Sequence, residues 1–198
     1  MVEWRRDFHR YPELGYEEHR TSARVAEHLR GLGLEVRTGV GRTGVVGLLR
    51  GERDGPTLLL RADMDALPIP EADKGIDYMS KAEGKAHLCG HDAHTSMLMG
   101  AAQVLRERGL RRGNVKFMFQ PAEEGLAGAR AMIEDGVLDN PRVDAACALH
   151  VSPAHPTGRI AIVRGAGWAA VDRLSIRIIG HGGHAAAPHL AVDAIPVA

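Results

Sequence analysis

The sequence predicts an α/β protein with a mostly parallel sheet flanked by helices, followed by the beginning of a second unit. Three observations carry this. Short apolar runs at 57–61, 114–119 and 143–149 lack alternation, as strands buried on both faces of a parallel sheet do. Each run leads directly into polar residues: Asp63 and Asp65, then Gln120 to Gly125, then His150. Between the first two lies a helical stretch opened by His87-Leu88-Cys89-Gly90-His91-Asp92-Ala93-His94. Because ligands of open α/β sheets bind outside the carboxyl ends of the strands, these polar residues are expected to converge on one edge.

Taken in order, 17–32 reads as an amphipathic helix with Val25, Leu29 and Leu32 on one face and Gly31 and Gly33 as stop signals. Strands are expected at 34–37 and 45–50 around a 39–44 turn, and again at 57–61. Residues 66–88 hold Pro68, Pro70 and Gly75 without a clear period and read as a long functional loop. A helix follows at 93–108, with Met97, Ala101, Val104 and Leu105 inward and Asp92 as its N-cap. A third helix spans 126–134, and a strand spans 158–163. After Gly165-Ala166-Gly167 the pattern at 171–179 alternates, as a half-exposed antiparallel strand does. The expected division is therefore 1–166 and 167–198, the second part holding one strand and the start of a helix near Asp193. A chain that opens inside a helix and stops early in a second domain suggests a protein about twice as long.

Composition narrows the function. Twenty-five basic residues balance twenty-five acidic ones and 44% of residues are apolar, which argues against a nucleic-acid or membrane-surface binder. No run approaches a membrane span, and the start of the chain lacks the apolar core of a secretory signal. Two cysteines, Cys147 among them in an apolar run expected to be buried, fit a reducing cytoplasm rather than a disulfide framework. Eleven histidines are many for 198 residues, and several fall in the polar clusters.

Thiolate and imidazole in the 87–94 cluster suit a zinc-like ion. With one Cys there and no C-x-x-C, an open catalytic site completed by carboxylates fits better than a closed structural one. The adjacent Glu123 and Glu124 point different ways, so one can bind metal while the other acts as general base. Asp63 and Asp65 are placed to be ligands or to orient them. His150 taken alone reads more readily as a core residue, and His181, His184 and His189 as loop residues or substrate donors. Gly39-Val40-Gly41-Arg42-Thr43-Gly44 matches a dinucleotide fingerprint, but a strand-like stretch follows where a helix is required. A nucleophilic Cys89 would leave Glu123, Glu124 and His150 without a task.

These residues closely resemble the amidohydrolase branch of the dinuclear-metal exopeptidase and aminoacylase family, which includes hippurate, N-acyl-amino-acid and indole-acetyl-amino-acid hydrolases. The resemblance runs through F-H-R-Y-P-E-L-G-Y-E-E (8–18), R-T-G-V-V (42–46), R-A-D-M-D-A-L-P-I (61–69), H-L-C-G-H-D-A-H (87–94), Q-P-A-E-E-G (120–125), A-L-H-V (148–151) and G-G-H-A-A-A-P-H (182–189). It implies a zinc-exopeptidase-like catalytic domain with a mixed sheet, and the start of an inserted α+β lid that often dimerises. It further implies two divalent ions (zinc, manganese, cobalt or nickel) on Cys89, His91, Glu124 and His150, with Glu123 as general base. Asp63 would stand behind the metals, and His184 would stabilise the oxyanion across a homodimer. The implied substrate is an N-acyl amino acid. Arg61 stands where many relatives outside this branch have a metal-binding His. A further His ligand of the family lies beyond the point where this chain stops, so the alternative is a metal-binding fragment or half of a split enzyme. Leu88 and Ala185 are minor departures.

Overall fold

The computed structural model describes every residue except Trp168, Val171, Arg173 and Ala198. The chain divides into two units, Met1–Pro153 and Ala154–Ala198, a division that falls ahead of the change in pattern at Gly165-Ala166-Gly167.

The first unit holds α1 (Val2–Arg10), α2 (His19–Gly31), β1 (Glu35–Val40), β2 (Gly44–Arg50), β3 (Thr57–Asp63), α3 (His91–Arg108), β4 (Asn114–Gln120), α4 (Gly128–Glu134) and β5 (Ala145–Ala148). Its five strands lie in the order β1-β2-β4-β3-β5. The sheet is mixed: β4, β3 and β5 run parallel, whereas β2 is antiparallel to both β1 and β4. Since β2 follows Gly44 as a strand, the glycines at 39–44 make a hairpin turn and cradle no pyrophosphate.

Alternation along β4 explains how both faces are covered. Val115, Phe117 and Phe119 enter a core with Phe8 of α1, Val25 and Leu29 of α2, and Leu98 and Met99 of α3. Met118 points the other way, joining Val46, Leu59, Val137 and Met132 of α4. A strand with helices on both sides must be apolar at successive positions, which is why the 114–119 run does not alternate. Gly47 lets α2 lie close to the sheet, because a Cβ there would sit 3.0 Å from a Leu29 methyl. The one charge in β4, Lys116, is buried and donates to the carbonyls of Val137 (2.9 Å) and Asp139 (2.5 Å). Those bonds satisfy an ammonium that would otherwise be costly to bury.

Several expectations need correction. The inward face of α3 is Leu98, Met99 and Ala102, while Val104 is exposed and Met97 and Ala101 border a groove beside β5. Asp92 does not cap α3; Gly90 holds the N-cap position in a left-handed conformation. The Asp92 carboxylate instead accepts from His9 Nδ1 and Arg5 Nε, both at 2.8 Å. Nor is β5 buried. Among the described residues it is an edge strand paired with β3 alone, and all four of its residues, Cys147 included, are exposed. An apolar groove of about 530 Å³ runs along it, lined by Leu60, Met97, Leu98, Ala101, Cys147 and Leu149.

In the second unit no strand forms at 158–163, nor among the described residues of 171–179; Val171 and Arg173 of that stretch lie outside them. A bridge between His181 and Val192 and two 3₁₀ turns, Pro188–Leu190 and Ile195–Val197, are its regular features. Ile160, Ile162, Leu174, Ile176 and Ile179 are all exposed, so alternation there has no partner to pair with and no face to bury.

Phe117 is fully buried at the sheet centre. Phe117→Ala is therefore expected to destabilise the fold by about 3–5 kcal/mol in urea titrations, and a loss under ~1 kcal/mol would show that the core does not rest on β4.

Candidate metal centre

The register of β3 against β4 pairs Asp63 with Gln120, so the two strands end side by side and release 63–65 and 120–124 at one edge. β5 runs parallel to β3 and delivers His150 to the same edge. The N-terminus of α3 packs there too: Thr95 Oγ1 donates to the Asp63 carbonyl (2.9 Å), and Met64 N donates to the Gln120 carbonyl (2.9 Å). Asp63, Cys89, His91, Glu123, Glu124 and His150 are thereby brought together.

His91 is buried at the centre. Its Nδ1 lies 2.8 Å from the Asp65 carbonyl oxygen, which can only accept, so Nδ1 carries the proton and donates. The other nitrogen, Nε2, is buried without a hydrogen-bond partner, 3.6 Å from Asp63 Oδ2, 3.8 Å from Glu123 Oε2 and 3.9 Å from Glu124 Oε1. His150 repeats the device: its Nδ1 donates to the Val151 carbonyl (2.6 Å), and its Nε2 lies 3.5 Å from Cys89 Sγ. Two imidazole Nε2 atoms, one thiol and two glutamates thus point at a shared space. Among the described residues, ligand atoms within 4.8 Å of one another fall into three groupings that share His91: Cys89-His91-His150, His91-Glu123-Glu124 and Asp63-His91-His94.

Titration behaviour reflects the crowding of acids. Burial and the nearby Glu124, Glu123 and Asp63 push the Cys89 thiol up to about 11. Burial, then Glu123 and Asp65, raise Glu124, although His91 opposes them. Burial works against the Asp63 carboxylate, but the bond from His94 and the charges of His91 and Arg61 hold it at about 2. The residues fit a divalent cation: the donors are of the N, O and S types such ions accept, the buried Nε2 of His91 lacks a partner, and the local charge is negative.

Asp65 and His94 do more than their sequence positions signalled. Asp65 accepts from Glu124 N (2.9 Å) through its side chain and from His91 through its carbonyl, tying two strand ends and α3 together. His94 Nδ1 donates to Asp63 Oδ1 (2.6 Å), and its Nε2 accepts from Val151 N (2.9 Å). With both nitrogens engaged, His94 links Asp63 to the His150 segment and has no lone pair left for an ion. Its spacing from His91 on one helix was the available signal. His87, from the same cluster, is buried with both ring nitrogens unpartnered, and burial lowers its pKa to about 4. Arg61 donates to Asp63 Oδ2 (2.7 Å) and Gln120 Oε1 (2.8 Å). His184 lies in the second unit, exposed, its Nδ1 accepting from Ala186 N (3.1 Å).

The fold and the site define an α/β protein with a candidate metal centre at the carboxyl ends of its parallel strands. Residues 59–195 match the model of the peptidase family M20/M25/M40, and the chain belongs to that family. It is 46% identical over 199 residues to thermostable carboxypeptidase 1 of Saccharolobus solfataricus, covering 98% of this chain and 50% of that protein. It is 45% identical over 196 residues to the N-acetyl-L-cysteine deacetylase of Bacillus subtilis, covering 98% of this chain and 46% of that one. A Bacillus subtilis dinuclear metal binding peptidase from the M20 family superposes with a TM-score of 0.74 at 41% identity, covering 79% of this chain and 44% of that chain. The chain spans about half the length of the curated relatives it matches.

Asp63 also makes an acid-stability prediction. Its carboxyl falls from the ordinary 3.8 to about 2, so its contribution is complete above pH ~4 and is lost as pH falls toward 2. The contribution is on the order of 2 kcal/mol. Urea titrations of the metal-free protein between about pH 5 and pH 2 should show a steeper loss than in Asp63→Asn; equal slopes would refute the assignment.

Proposed function

We propose that the protein carrying this chain is a metal-dependent amidohydrolase that hydrolyses the amide bond of N-acyl amino acids or similar small amides. The observation that carries this reading is the convergence of His91 Nε2, His150 Nε2, Cys89 Sγ and the Glu123-Glu124 pair, with Nδ1 of each histidine donating to a backbone carbonyl. Cys89, His91, Glu124 and His150 would hold two divalent ions drawn from zinc, manganese, cobalt or nickel. Bound there, the ions supply Lewis-acid polarisation of the scissile carbonyl and a water acidic enough to ionise near neutral pH.

The remaining steps belong to this chain's side chains. Glu123 is the more exposed of the pair, 41% against 28% for Glu124, which suits a group that must reach solvent-derived water. It accepts the water proton as the oxygen attacks the carbonyl carbon, then delivers that proton to the leaving nitrogen. Asp63, through His94, orients the His150 segment. His184 would donate to the developing oxyanion, from a lid that begins at 167 and through which the whole protein forms a homodimer. Similarity to a carboxypeptidase and an N-acetyl-L-cysteine deacetylase supports an amide bond beside an amino acid as the target. Balanced charge supports a small-molecule partner over nucleic acid or membrane, and no helix among the described residues is long and apolar enough to cross a membrane. The cytoplasm is the proposed compartment.

The test is elemental analysis of the complete protein beside assays on N-acyl amino acids. Cys89→Ser should lower bound metal. Glu123→Gln should keep its metal and lose roughly 10²–10⁴-fold in kcat. Near-normal turnover by Glu123→Gln would remove the general-base role.

A further inference from the structure

The segment that carries Glu123 and Glu124 is held in an unfavourable backbone conformation. Ala122, fully buried, has φ 52, in the left-handed region that L-residues other than asparagine and aspartate seldom enter. Gly128 shows how tightly the segment is packed, since a Cβ there would lie 1.7 Å from the Pro121 carbonyl oxygen. Backbone strain of this kind persists only where surrounding contacts impose it.

On one side of Glu123 the contact is Asp65, which accepts from Glu124 N. On the other side it is Glu18, at the N-terminal edge of α2 and far away in sequence. Glu18 is fully buried. Its Oε1 accepts from Ala122 N at 2.8 Å, and its Oε2 accepts from Thr43 Oγ1 at 2.5 Å. Thr43 sits in the β1–β2 turn, and its carbonyl accepts from the Ser22 hydroxyl of α2. No lysine or arginine pairs with Glu18 among the described residues, so this acid is buried on hydrogen bonds alone, and burial raises its pKa. Burying an acid without a counter-charge is costly.

We propose that Glu18 is a positioning residue for hydrolysis: through the Ala122 amide it fixes the backbone from which Glu123 reaches the attacking water. The inference rests on the general-base role proposed for Glu123. Misplacement of a reacting group by about 1 Å costs on the order of 10²-fold in rate, so the effect belongs in kcat rather than in KM.

The experiment compares Glu18→Gln, which keeps an acceptor for Ala122 N, with Glu18→Leu, which has similar bulk and no acceptor. Both are made in the complete, manganese-loaded protein, with Glu123→Gln alongside. Hydrolysis of N-acetyl amino acids and hydrogen exchange at the Ala122 amide are read together. Glu18→Leu should lose about 100-fold in kcat with KM within about 3-fold, and the Ala122 amide should exchange about 100-fold faster while the Phe117 amide keeps its protection. Glu18→Gln should restore both readouts to within about 5-fold of the parent. If Glu18→Leu fails to fold, Glu18→Asp, whose carboxylate is one methylene short, takes its place with the same expectation.

Unchanged kcat and unchanged Ala122 exchange in a folded Glu18→Leu would overturn the proposal. So would a Glu18→Gln that regains Ala122 protection without regaining kcat. Normal turnover by Glu123→Gln would instead refute the base assignment, and the Ala122 exchange would still report whether Glu18 anchors the segment.

Discussion

The arrangement of the centre depends on one hydrogen bond, from His91 Nδ1 to the carbonyl of Asp65. A backbone carbonyl cannot donate, so it fixes a proton on Nδ1 and turns Nε2 toward the acids. The same residue, Asp65, takes the Glu124 amide on its side chain. A single strand end therefore sets the tautomer of one ligand candidate and the backbone position of another. Had the Asp65 carbonyl been turned into the β3–β4 ladder, the His91 ring would be free to flip.

That geometry is expensive to maintain. Asp63, Asp65 and Asp92 are all nearly inaccessible to water, and each is held ionised by specific donors against the penalty of burial. The donors come from different elements: His94 of α3 and Arg61 of β3 for Asp63, and His9 and Arg5 of α1 for Asp92. Losing any one of these donors would leave a buried charge less well compensated. The apolar layers on both faces of β4 supply the rigidity that keeps these partners in register.

Much of this was legible from the chain. The non-alternating run at 114–119 did mark a strand covered on both faces, the run at 57–61 marked a central strand that leaves Leu58 exposed, and the polar residues after them do meet. The run at 143–149 looked the same yet forms an exposed edge, because local pattern reports what a strand is suited to bury and not what lies beside it. Asp92 shows the same limit: a short acid before an apolar helix reads as a cap, but His9 and Arg5 compete for it across a long stretch of sequence. Positions such as Glu18 and His94 are less visible still, since their importance lies in the partner each oxygen or nitrogen meets, which only the tertiary fold decides.

The electrostatics of the centre bear on how it would accept an ion. Cys89 and Glu124 are both shifted toward their protonated forms by burial and by one another's neighbours. On the ligand set proposed above, a cation in this space would relieve that repulsion and Cys89 would give up its proton, which would couple metal affinity to proton release. With the Cys89 thiol pushed up to about 11, its protonated form dominates at neutral pH, so an ion held by that sulfur would compete against a proton and its apparent affinity would rise with pH. Arg61, by contrast, is already committed to Asp63 and Gln120 and leaves the acids around His91 uncompensated. The chain thus neutralises the carboxylate behind the centre with its own cation and leaves those within it to an external one.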